Sequence, residues 1–219
     1  MIIRYHNNMK KRNLYYHGTS NGRKALSIIE NGILPDLSKT QGIARPVEGR
    51  IYASAILSNA LPYLLGGAME GEELPKDWVE ESRFGYMFVI ESDDLGDIQP
   101  DEDQVGQAVC DMAFPWVDKY LEIIKEEDPE DNNFDGEDGF SHKNLLAQVN
   151  MGEYCGWIKA GHLLLKHLTP SEKNDIINRY GNIAHLGIVK PVEVWKFDKL
   201  KCPLLKKDGS NFFELAELV

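Results

Sequence analysis

The stretch Leu14-Tyr15-Tyr16-His17-Gly18-Thr19-Ser20 constrains this chain more than any other. Its aromatic run reads as a strand, and it ends in a histidine followed at once by small residues. A helical pattern begins directly afterwards, with Ala25, Ile28 and Ile29 on one face. Ser20 or Asn21 can cap that helix, and Asn31-Gly32 closes it. A buried strand that hands a histidine to a glycine, where backbone can approach a ligand closely, is a common way to build a site.

The rest of the chain alternates short strands with helices. Arg50 to Ser54 reads as a strand, and Ser54 as the N-cap of a helix from Ala55 to about Leu65. Gly85-Tyr86-Met87-Phe88-Val89-Ile90-Glu91 is the clearest strand, apolar enough to be central. A long amphipathic pattern from about Gln104 to Glu127 predicts a helix that Pro115 kinks or splits. Residues 141–150 and 153–167 read as helices. Thr169-Pro170-Ser171-Glu172 is a capping box with proline at the first helical position, opening a helix to about Arg179. Strand segments follow at 181–187 and 191–197, with a last short one expected at Phe212–Leu215. Strands at both ends with helices between them predict an α+β fold, not a doubly wound sheet. We expect one domain over 1–219, with a helical insertion at roughly 104–180.

Three connections stand out. Asp36 to Gly49 is irregular, carries Arg45, and is able to lie over a ligand. Residues 68–83 and 128–138 are acidic, and the spacing within the second does not fit a calcium loop. The formal charge of -11 argues against broad binding to nucleic acid or to an anionic membrane surface, though nucleic acid can still be a substrate. Cys110, Cys155 and Cys202 form no CxxC pair, and His162 and His167 do not share a helix face, so no metal site is expected. With no apolar run resembling a signal or a membrane span, the expected compartment is the cytoplasm.

Tyr52 lies thirty-five residues after His17, and Tyr63 eleven further on. Together, Tyr16-His17-Gly18-Thr19-Ser20, Ile51-Tyr52-Ala53-Ser54 and Tyr63 resemble the ADP-ribosyltransferase superfamily of the histidine–tyrosine–glutamate type, which includes diphtheria-like toxins and poly(ADP-ribose) polymerases. These pieces cover about the first 65 residues; the strand at 85–91 and the Gly187-to-Pro191 turn match more loosely. The resemblance implies split antiparallel β-sheets with flanking helices, and NAD as substrate. It implies that His17 bonds the adenosine ribose and that Gly18, with Thr19 beside it, takes the nicotinamide carboxamide. Tyr52 and Tyr63 then sandwich the flat ring, a stacking geometry worth about 0.5–1.5 kcal/mol per pair beyond burial. Arg45 and Arg50, ahead of Arg23, are the candidate pyrophosphate partners, since a planar guanidinium suits phosphate oxygens.

The family's late-strand glutamate has no counterpart here. Asn182 sits best by its distance from the Gly187/Pro191 turn, and His185 follows closely; either can orient the ribose, and His185 can serve as a general base. Glu153 is a further carboxylate within reach of such a role only from a helix. The resulting expectation is a mono-ADP-ribosyltransferase that modifies a protein or nucleic-acid acceptor, in the setting of an intracellular toxin or phage effector. The alternatives are an RNA 2′-phosphotransferase-like enzyme using NAD, and a non-catalytic module binding NAD or ADP-ribose.

Overall fold

The structure, a computed structural model, describes residues 13–35, 49–66, 82–91, 98–127, 149 and 154–219. The N-terminal arm, most of the Asp36–Gly49 loop with Arg45, most of the 68–83 excursion, the acidic 128–138 segment, nearly all of the 141–150 helix and Glu153 lie outside the described residues. In chain order the first elements are β1 (Leu14–Thr19), α1 (Gly22–Asn31), β2 (Arg50–Ser54), α2 (Leu57–Leu65), β3 (Phe84–Glu91) and β4 (Gln99–Pro100). Then come α3 (Glu102–Cys110), α4 (Asp118–Glu127), α5 (Tyr154–Leu164), α6 (Pro170–Tyr180), β5 (Asn182–Leu186) and β6 (Glu193–Asp198). A 3-10 helix (Lys199–Leu204), α7 (Phe212–Leu215) and β7 (Ala216–Leu218) end the chain. The class is α+β, as the order of patterns predicted, with antiparallel strand pairing.

The chain divides into two compact units, the first from Met1–Asp36, Gly49–Ile98 and His185–Val219, the second from Leu37–Glu48 and Gln99–Ala184. In the first, β3 is central. Its ladder with β1 runs from Leu14–Glu91 to Thr19–Tyr86, and its ladder with β6 from Phe84–Asp198 to Val89–Glu193. Met87, Phe88, Val89 and Ile90 are all buried, which is why the strand reads as continuous apolar sequence. By contrast, β1 meets β2 at Tyr16–Ser54. The sheet therefore opens between β1 and β2 from His17 onward.

Helix α2 covers one face of this sheet, burying Ala60, Leu61, Leu64 and Leu65 against Met87, Phe197, Cys202, Leu205 and Phe212. It lies so close that a Cβ on Gly18 would sit 2.5 Å from the Ala60 carbonyl oxygen, and one on Gly85 2.3 Å from that of Leu64. The two glycines cut a notch across β1 and β3 that seats Leu64. Each fully buried leucine contributes about 1.5–3 kcal/mol, so the notch positions a substantial part of the core.

Two expectations need correcting. Ser54 does not cap α2; its Oγ accepts from the Ile56 N–H at 3.1 Å, a turn that delays the helix start to Leu57. Residues 212–215 form a helical turn, with Phe212 buried beside Phe197, and the final strand comes after it.

Among its described residues the second unit is helical apart from the β4–β5 pairing. Pro115 splits the predicted long helix, and Val117 tucks under the break into the core with Tyr120 and Ile124. Helices α3 and α5 pack backbone to backbone: a Cβ on Gly106 would meet the Trp157 carbonyl oxygen at 1.8 Å, and one on Gly161 that of Glu102 at 1.8 Å. The capping box forms as predicted, and Glu172 accepts from the Thr169 N–H at 2.8 Å. The same carboxylate takes the Tyr120 hydroxyl at 2.6 Å and an ion pair from Lys119.

Candidate functional site

His17 stands where the sheet opens. Alternation along β1 puts it on the side of the buried Tyr15 and Thr19, opposite the α2 face, with Phe88 as its neighbour in register. The rings of His17 and Phe88 are tilted by 43° at 6.3 Å. Across the opening, Nδ1 lies 2.8 Å from the Tyr52 carbonyl oxygen. A carbonyl only accepts, so Nδ1 carries the proton and Nε2 keeps its lone pair. Burial holds the pKa of His17 below its ordinary value, and the charge of Lys24 adds to this while the Tyr52 carbonyl opposes it. At neutral pH the ring is an uncharged acceptor through Nε2, suited to a hydroxyl.

Gly18 follows, half-buried, with its Cα packed toward α2. The buried Thr19 turns the chain, its Oγ1 accepting from the Asn21 N–H at 3.3 Å, and the Asn21 side chain then caps α1 by accepting from the Arg23 and Lys24 N–H groups. Beneath this corner lies Lys199, 1% exposed, whose Nζ donates to the Ser20 carbonyl at 3.3 Å. Burial lowers its pKa, against the influence of Cys202. Sequence reasoning passed over Lys199, which looks like one more surface cation among Lys196 and Lys201. Its only signal is Cys202 three residues on, which marks one face of that turn as buried.

The structure brings together His17, Gly18 and Tyr52. Tyr52 and Arg50 are half-buried on β2. Tyr63 projects from α2, 67% exposed, one residue before the leucine seated in the glycine notch. Arg23 is exposed on α1. Asn182 belongs to the second unit, where its backbone N–H donates to Gln104 Oε1 at 2.9 Å. His185 belongs to the first unit, near the end of β5, which the Gly187 N–H pins beside the start of β2 through the Gly49 carbonyl at 3.4 Å. Its ring is half-buried, with burial lowering its pKa, and Nδ1 is shut off from solvent.

Among the described residues no cluster of three histidine, cysteine or acidic side chains is arranged to hold a metal, and His167 instead pairs with Glu127 at 2.7 Å. A depression of about 60 Å³ lined by Phe84, Lys196, Asp198, Lys201, Leu215 and Glu217 shares no residue with the His17 corner. No helix among the described residues is long and apolar enough to cross a membrane. Compared with protein-family models, curated proteins and solved structures, the chain matches none.

Proposed function

We propose that the chain is a NAD-dependent mono-ADP-ribosyltransferase acting on a macromolecular acceptor, with an ADP-ribosyltransferase-like split sheet around its site. The observation that carries this reading is the hydrogen bond from His17 to the Tyr52 carbonyl. It joins two motif positions thirty-five residues apart at the place where β1 and β2 separate. At that place an aromatic side chain on β2 can flank a flat ligand ring.

In the reaction, the bond between nicotinamide nitrogen and ribose C1′ breaks and its electron pair neutralises the pyridinium. The sugar passes through an oxocarbenium-like cation, and an acceptor nucleophile forms the new bond to C1′ and releases its proton. His17 would accept a ribose hydroxyl through Nε2 and hold the bend of the dinucleotide. Tyr52 and the exposed ring of Tyr63 would flank nicotinamide, with Arg50 and Arg45 toward the pyrophosphate. Asn182 and His185 are the side chains proposed near the reacting ribose.

Incubation of the full chain with labelled NAD and cell lysate tests this. Wild type should transfer label, and His17→Ala and Tyr52→Ala should each reduce transfer by about ten-fold or more, the worth of one or two hydrogen bonds or stacking contacts. Absence of transfer above the double variant's background defeats the enzyme reading. One observation favours a non-catalytic module: β5, Asn-Ile-Ala-His-Leu, offers no carboxylate. Tight NAD binding by calorimetry without nicotinamide release would support that second reading.

A further inference from the structure

We infer that His185 serves as a hydrogen-bond donor through Nε2–H toward a ribose oxygen of the bound dinucleotide, and not as a general base. The choice of ligand rests on the ADP-ribosyltransferase reading; the choice of tautomer does not. Nδ1 of His185 is buried and has no hydrogen-bond partner among the described residues, while the ring as a whole is only half-buried. A neutral imidazole carries one proton, on one nitrogen or the other. Placing it on Nδ1 would bury an N–H with no acceptor, among the costliest of orphan groups; leaving a lone pair there costs less. The proton therefore sits on Nε2.

His17 has the opposite tautomer, because the Tyr52 carbonyl claims its Nδ1–H. Both histidines border β2: His17 is tied to Tyr52 itself, and His185 lies two residues before the Gly187–Gly49 bond at the start of that strand. One offers an acceptor and the other a donor. His17 thus offers its acceptor to the adenosine ribose and His185 its donor to the reacting ribose, since ribose hydroxyls both give and take hydrogen bonds. Nε2 cannot take the acceptor's proton while it holds its own, and an uncharged ring beside the sugar does not repel the developing cation as an imidazolium would.

The test is a two-bond proton–nitrogen NMR spectrum of the full labelled chain near neutral pH, with His185→Leu to assign the signals. The inference predicts the Nε2–H form for His185, the Nδ1–H form for His17, and displacement of the His185 signals on adding NAD. It also predicts that His185→Leu lowers kcat about ten-fold with KM for NAD little changed, and that His185→Asn, whose amide supplies a donor, restores most of the rate. An Nδ1–H or doubly protonated His185 overturns the inference whether or not NAD is consumed. Full turnover by a folded His185→Leu overturns the role. If wild type consumes no NAD, the ADP-ribosyltransferase reading fails and the ligand assignment falls with it, while the spectrum still decides the tautomer.

Discussion

At the scale of single residues, His17 and Gly18 do different work from what their adjacency suggests. His17 is held by a backbone carbonyl and kept uncharged, so its protonation is linked to folding. Its pKa lies below the ordinary 6.5 in the fold, so between those two values the unfolded chain binds a proton that the folded chain refuses. Stability is then fully present above pH 6.5 and declines as pH falls through that window. Melting temperatures measured across mildly acidic pH should show the decline, and His17→Phe should reduce it, leaving the part that the similarly lowered His185 contributes. Gly18 is demanded first by α2: Gly18→Ala should destabilise by about 1–3 kcal/mol in chemical denaturation, because its methyl group meets the Ala60 carbonyl. The sequence marked both positions through the strand-to-helix pattern. It did not show the close contact of α2, since nothing local in Gly18 distinguishes packing against a helix from room for a ligand.

Among the elements, those governed by local rules were legible and those governed by packing were not. The Asn21 cap, the Thr169–Glu172 box and the break at Pro115 each follow from chemistry within a few residues, and each is found where predicted. The turn of helix at Phe212 was misread because its aromatic pair fits a strand equally well; its burial beside Phe197 decides the matter, and Phe197 lies on another element. The close crossing of α3 and α5 was equally invisible. Gly106→Ala and Gly161→Ala should each cost about 1–3 kcal/mol or more, read as a lower denaturation midpoint, because backbone cannot yield as a flexible side chain can.

Glu172 ties α4 to α6. Burial raises its pKa, but Lys119, Tyr120 and Thr169 outweigh that and hold it at about 2. Its contribution is thus present above the ordinary 4.5 and lost as pH falls through about 2, since in between the unfolded chain takes up the proton first. Acid unfolding of Glu172→Gln should lack that component, and at neutral pH the variant should lose about 1–3 kcal/mol from the weakened partners of a buried group.

Over the whole chain, the α+β class was readable from the order of patterns, because helices gathered between strands at the two ends favour that class over a doubly wound sheet. The candidate site was half readable. His17 and Tyr52 come together, at a place where the sheet opens, and that joining is a long-range fact which spacing alone only implied. The late-strand position was the less legible half, because Asn182 and His185 fall three residues apart on one strand and are recruited by different surroundings: Asn182 by Gln104, His185 by the edge of β2.

The measurement that bears most directly on this account is nicotinamide release from NAD by the full chain, beside His17→Ala matched for melting temperature. Wild type should release nicotinamide, and the variant should release about ten-fold less or lower still. No release by wild type, or equal release by both, would contradict it.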